Sequence, residues 1–243
     1  MGNKYTRIDK DYNIVIRALK DVFPEGLANP KILFQTEELW NRRERGLYDV
    51  GGRYQRVLEM FKDNVKIPKG THNVVYCPVG YTPTYSMGFP EPAEQDIDVF
   101  FYGSMTDRRK EIGAKLVTAL PQRKIVFSTD CWAEQREDLI MRSKIILNVK
   151  ARDMWGFTPI HNLPAIANKR LCLIEKPYDD DYGIFKKGKH FKEYNGIGQM
   201  IQQIEYWIQR DKEREEFAVN ALEDVKENCQ FTPILQKAMK GYI

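Results

Sequence analysis

Apolar positions along the chain come in short runs, and the spacing between them changes character near residue 96. Beyond that point, runs of strand length alternate with helical spacing. Strands are predicted at Ile97–Tyr102, Lys124–Phe127, Ile145–Val149 and Leu171–Ile174, with helical segments over Arg109–Ala119 and Glu134–Arg142. Two further helices each carry an apolar face, one through Ile197, Met200, Ile201, Ile204, Trp207 and Ile208, the other through Phe217, Ala218, Ala221, Leu222 and Val225. Thr232-Pro233 opens a last helical tail. Before residue 96 the pattern is less regular. Ile14, Val15, Ala18, Leu19 and Val22 predict a helix over Tyr12–Phe23, closed by Pro24-Glu25-Gly26, and Tyr54, Val57, Leu58 and Phe61 predict another over Arg53–Lys62. Short strands are expected at Ile32–Phe34, Leu47–Val50 and Val74–Cys77.

Strands alternating with helices predict an α/β fold with parallel sheets covered on both faces. The stretch Thr82 to Gln95 holds Pro83, Gly88, Pro90 and Pro92 without periodicity, so it reads as a linker. The expected organisation is therefore two Rossmann-like halves, residues 1–95 with the linker and residues 96–243, with a crevice between them and a C-terminal helix crossing back. The second half opens with Asp96-Ile97-Asp98-Val99-Phe100-Phe101-Tyr102-Gly103-Ser104, then Met105-Thr106-Asp107-Arg108-Arg109. An apolar strand that breaks at Gly-Ser and runs into a helix places free N–H groups at the end of the sheet where ligands collect. Gly103 lets a ligand approach the backbone, Ser104 donates a hydrogen bond, and Arg108 and Arg109 bring positive charge. Those residue types suit a phosphate. A plain strand–turn–helix corner explains them equally well at this point.

Composition narrows this without redirecting it. The 243 residues are 42% hydrophobic and 30% charged, which is a globular and not a disordered balance. A net charge of +4 fits an anionic ligand but falls short of a nucleic-acid signature. Cys77, Cys131, Cys172 and Cys229 are widely spaced with no CxxC pair, which argues against structural zinc and a disulfide framework. Cys77 and Cys172 sit in apolar runs and are expected to pack as small hydrophobes. No run approaches membrane-spanning length and the N-terminus lacks an apolar signal region, so a cytoplasmic protein is expected.

The order of several motifs resembles a known family. The strand ending in Gly103-Ser104 with its paired arginines is followed by Ser143-Lys144-Ile145-Ile146-Leu147-Asn148-Val149, and then by Ile160 through Glu175. Together with Gln35-Thr36-Glu37 and Pro78-Val79-Gly80-Tyr81 upstream, this resembles GT-B glycosyltransferases of the spore-maturation type, within the group-1 glycosyltransferase superfamily. The resemblance covers roughly residues 30 to 230. It implies a shortened N-terminal half on the acceptor side and a C-terminal half that binds a nucleotide sugar.

By that resemblance the activity is transfer of a sugar, a hexose by expectation, from a UDP- or GDP-type donor to an acceptor hydroxyl. No metal or other cofactor is expected. Arg108 and Arg109 would stabilise the leaving diphosphate, with Gly103 and Ser104 at the turn. Lys144 and Lys169 would add charge, although solvated surface lysines are the plainer reading of both. Glu175, after an apolar strand, would accept ribose hydroxyls. Asp130 and Trp132 follow the second strand of this half, where the ring either stacks on a nucleobase or packs internally. Asn148 ends the SK-x-x-LN strand, and Asp153 and His161 flank the loop after it, where a group contacting the sugar or acting as a base belongs. Two departures from the family pattern stand out: Ala167 replaces the first of two glutamates spaced i and i+8, and His161-Asn162 replaces an arginine. A non-catalytic GT-B-like scaffold is accordingly the alternative. Asp96-Ile97-Asp98 has a metal-binding DxD spacing but opens a strand at the wrong end, and Asp179-Asp180-Asp181 reads as a solvated loop.

The acceptor is expected to be a saccharide, a protein or DNA. Lys31, Arg42, Arg43, Arg45, Arg53, Arg56, Lys62, Lys66 and Lys69 interleave with Trp40, Tyr48 and Tyr54, a pattern that can track a phosphate backbone. That makes a phage-type DNA-base glycosyltransferase a second alternative. Interspersed Glu37, Glu38, Glu44, Asp49, Glu59 and Asp63 make a mixed-sign solvated surface the simpler account.

Overall fold

The computed structural model describes residues 5–9, 12–17, 31–36, 56–65, 73–92, 94–153 and 156–240. The chain divides into two compact units, Met1–Val79 with Thr232–Ile243, and Gly80–Phe231.

The first unit is built on a five-stranded sheet in sequential order, β1 (Tyr5–Asp9), β2 (Tyr12–Arg17), β3 (Lys31–Gln35), β4 (Arg56–Glu59) and β5 (Val74–Tyr76). β1 and β2 pair antiparallel, and the remaining neighbours pair parallel. Ile32, Leu33 and Phe34 on β3 and Val57 and Leu58 on β4 are all buried, so these central strands are covered on both faces. A one-turn helix α1 (Lys62–Val65) follows β4. The expected strands at Ile32–Phe34 and Val74–Cys77 are present. Two expected helices are not found among the described residues. Residues 12–17 of the first form β2, hydrogen-bonded between β1 and β3, and residues 56–59 of the second form β4, between β3 and β5. The strand expected at Leu47–Val50 lies outside the described residues, as do Arg42, Arg43, Arg45, Arg53, Lys66, Lys69 and the three aromatics named with them.

The second unit is the regular one. Its strands are β6 (Ile97–Tyr102), β7 (Ile125–Ser128), β8 (Ser143–Asn148), β9 (Leu171–Glu175) and β10 (Lys192–Tyr194), in the spatial order β10-β9-β8-β6-β7. Every pair is parallel. The helices are α2 (Asp107–Ala119), α3 (Ala133–Met141), α4 (Pro159–Ala167), α5 (Gly196–Ile208) and α6 (Asp211–Asn228), followed by α7 (Phe231–Met239), which groups from Thr232 onward with the first unit. There Arg56 donates to the carbonyl of Ala238.

Alternate residues of the second sheet serve opposite faces. Val99, Phe101, Ile145, Leu147, Leu171 and Leu173 pack with Leu116 of α2 and with Met200, Ile204 and Trp207 of α5. Phe100, Ile146 and Cys172 are register neighbours on the other face, where the Cys172 thiol donates to the Asn162 carbonyl of α4. Each fully buried Phe, Leu or Ile of this set contributes about 1.5–3 kcal/mol. All four cysteines are buried and unpaired with one another, as expected for Cys77 and Cys172.

Counted within this unit, the strand order is that of a doubly wound sheet whose winding reverses between β6 and β8. At such a switch point neighbouring connections leave in opposite directions, opening a crevice at the carboxyl ends of the two strands. Gly103 follows one of those strands and Val149 the other.

Candidate functional site

The turn after β6 is where the site begins. Gly103 sits at φ +139°, a region that side-chain-bearing residues avoid. A Cβ there would lie 3.5 Å from Arg109 Nη1, 3.6 Å from Phe101 and 3.9 Å from His161 Cε1, so the glycine keeps an opening between these groups. The following Thr106 caps α2, its hydroxyl accepting the Arg109 N–H at 3.4 Å. Helix α2 thus starts beside the turn, with its first N–H groups at the carboxyl end of the sheet.

The two arginines on its first turn point to different tasks. Arg109 is buried; its Nε donates to the Val149 carbonyl at 2.9 Å and its Nη1 to the Ser104 carbonyl at 2.8 Å, tying the ends of β8 and β6 together. Its guanidinium lies 5.1 Å from the Phe101 ring centroid. Burial, then repulsion from Arg108, lowers its pKa to about 10, and it remains charged at neutral pH. Arg108 reaches instead to the end of β9. Its Nη1 and Nη2 grip the two oxygens of Glu175 as a fork, and its Nε binds Asp153 at 2.8 Å. Glu175 also accepts the Lys150 N–H at 2.9 Å, while the Lys150 carbonyl accepts from Arg108 at 2.9 Å.

His161 enters from α4. Tyr102 donates to its carbonyl at 2.6 Å, and the two rings lie 5.9 Å apart. Burial, then the charges of Arg109 and Arg136, pushes its pKa down to about 4, so the imidazole is neutral at pH 7. Asn148 closes this side: its amide donates to Asn162 of α4 at 3.0 Å, and its carbonyl accepts from Tyr194 at 3.0 Å.

The structure therefore gathers Gly103, Ser104, Arg108, Arg109, Asn148, His161 and Glu175 around one switch point. Asp130 and Trp132 follow the neighbouring β7; Trp132 is 59% exposed, which removes the internal-packing reading of its ring. Lys144 and Lys169 are not part of the group. Lys144 is the second residue of β8, at the amino end of the sheet, where it pairs with Asp98 at 2.8 Å. Lys169 precedes β9 at the same end and lies 3.7 Å from Glu91. Asp96 is held by Arg142 at 2.7 Å and by Lys124, which lowers its pKa below the usual carboxylate range. The DxD residues are thus strand-end ion pairs. Asp179 and Asp181 accept backbone N–H groups within their own loop, and Asp180 pairs with Lys176 at 2.7 Å.

Sequence reasoning missed the backbone of Lys150, the Tyr194 hydroxyl and the Thr106 cap. Only Thr106 had a readable signal, a threonine directly before a charged first helical turn. Among the described residues no helix is long and apolar enough to cross a membrane.

No family model and no curated protein matches this sequence. Solved structures do match its fold. HepE from Anabaena, in complex with UDP and glucose, superposes with a TM-score of 0.67 at 8% identity, over 88% of this chain and 71% of that one. The fold is GT-B. TarM from S. aureus, in complex with fondaparinux, alpha-GlcNAc-glycerol and UDP, gives a TM-score of 0.61 at 12% identity, over 86% of this chain and 50% of that one. Sucrose-phosphate synthase from Thermosynechococcus elongatus gives 0.62 at 9% identity, over 90% and 68%. This chain thus spans about half of TarM and about seven tenths of the other two.

Proposed function

We propose that the chain is a metal-independent glycosyltransferase that moves a sugar, a hexose, from a UDP- or GDP-type donor to an acceptor hydroxyl. The observation that carries the reading is the convergence of the Gly103 turn, the α2 N-terminus, Arg109 and Glu175 on the β6/β8 switch point. In the reaction the acceptor oxygen bonds to the anomeric carbon as the bond from that carbon to the diphosphate breaks. The barrier falls where the diphosphate's growing charge meets fixed positive groups. Helix N–H groups and a guanidinium supply these without a metal ion. Glu175 suits ribose hydroxyls because a carboxylate only accepts, and Trp132 offers an exposed face for a base. Neutral His161 lines the turn, where it can hydrogen-bond a sugar hydroxyl or take its proton. That HepE and TarM are GT-B proteins solved with UDP supports the donor class.

For the acceptor we favour a saccharide, since TarM was solved with saccharide ligands. Of the basic positions before residue 70, Arg56 is engaged by the carbonyls of Ala238 and Lys240 and Lys62 lies 5.6 Å from the Tyr76 ring, so neither argues for DNA. Ala167 favours a second reading, a donor-binding scaffold without turnover. It is buried, leaving a methyl where group-1 enzymes often place a carboxylate.

A thermal-shift panel of nucleotides and nucleotide sugars tests the proposal. A UDP- or GDP-type ligand is expected to raise the melting temperature by mass action, and Glu175→Ala to reduce that rise. A flat response from well-folded protein would refute it. Donor binding with no hydrolysis or transfer to any of a broad acceptor set would select the scaffold.

A further inference from the structure

Arg108 and Arg109 are adjacent in sequence, yet their guanidinium groups have different capacity left for a ligand. An arginine carries five N–H donors. Arg108 spends one on Asp153, one on the Lys150 carbonyl and two on the Glu175 carboxylate. It cannot offer a phosphate a two-pronged grip without releasing Glu175. Arg109 is engaged through Nε and Nη1, but its Nη2 makes no hydrogen bond to a described residue. Its Nη1 is the atom nearest the missing Cβ of Gly103, so the guanidinium lies beside the turn.

Glu175 shows the complementary picture. Its side chain is 9% exposed. The Arg108 fork and the Lys150 N–H fix its rotation and occupy most of its acceptor positions, leaving room on Oε1. A carboxylate aligned this way meets a hydroxyl without first losing rotamer freedom.

Building on the nucleotide-donor reading, we propose that the arginines divide the work: Arg109 faces the diphosphate through Nη2, and Arg108 is a positioning residue that aims Glu175 at the ribose. Ribose recognition therefore depends on Arg108, and phosphate recognition does not.

Calorimetric titration with UDP, uridine and inorganic pyrophosphate separates the two, with GDP and guanosine as the purine pair. Arg108→Ala and Glu175→Gln are each expected to weaken the nucleoside and the nucleoside diphosphate by the same factor, about tenfold or more, and to leave pyrophosphate unchanged. The double variant should bind the nucleoside no worse than either single one, because both remove the same contact. Arg108→Ala weakening UDP and pyrophosphate while sparing uridine would overturn the division and leave the donor reading intact. Wild-type protein that binds no nucleotide of either base would overturn both. Glu175→Gln is isosteric and decides the matter if Arg108→Ala fails to fold: it must weaken uridine and UDP together, and sparing uridine overturns the proposal.

Discussion

His161 shows how a single side chain reports the state of the site. Its pKa falls from 6.5 to about 4 through burial, followed by repulsion from Arg109 and Arg136. Between those values the unfolded chain binds a proton at this imidazole that the folded chain refuses. Stability therefore falls as pH drops from 6.5 toward 4. Urea unfolding across that window is expected to show the fall, and a His161→Gln variant to show a shallower one. Equal pH slopes for the two proteins would mean the imidazole is not held neutral. The residue-level reading of the sequence was good where position in a strand decided the matter. Gly103 and Glu175 stand at the carboxyl ends of strands and Arg108 on the helical turn that follows the first of them, and the structure gathers them. It was poor where pairing decided. Arg108 and Glu175 are 67 positions apart, and nothing in local spacing shows that one arginine turns toward β9 while its neighbour turns back to β6. Lys144 stands at the start of an apolar run, so its location at the amino end of the sheet was readable in hindsight.

At the scale of elements, the end of α4 carries an unusual choice. Lys169 adopts φ +52°, with its N–H bonded to the Ile166 carbonyl at 3.0 Å and the Arg170 N–H bonded to Ala165 at 2.9 Å. This is the paired closure that commonly places glycine at the left-handed position. Lys169→Gly is expected to stabilise the fold by about 0.5–1 kcal/mol by relieving that strain. Since Lys169 lies away from the switch point, nucleotide binding should be untouched. Denaturant melts and a UDP titration of the variant check both halves, and a destabilised variant would contradict the strain argument. Periodicity served the second unit well because its helices are long enough to show 3.6-residue spacing. It failed at β2 and β4, whose six and four residues are too few to distinguish a buried strand from a helical turn. The β-branched run Ile14-Val15-Ile16 was the better guide there. β10, three residues with two charges, gave no apolar signal.

On the scale of the molecule, all seven residues gathered at the site belong to the contiguous unit Gly80–Phe231, whereas the first unit includes residues from both ends of the sequence. Removing residues 232–243 is expected to destabilise the first unit, which loses α7 and the Arg56 contacts, and to preserve the nucleotide-induced thermal shift. Scanning calorimetry with and without UDP reads both effects, and loss of the ligand response would show that the site depends on more than its own unit. The same division sets a timetable during synthesis. Domains usually fold in the order in which they leave the ribosome. Here the earlier sheet waits for residues 232–243 before its unit is complete, while the later one is made in a single passage. The half that begins first is therefore the last to finish, since residues 232–243 join its unit only after the whole of the other half has been made.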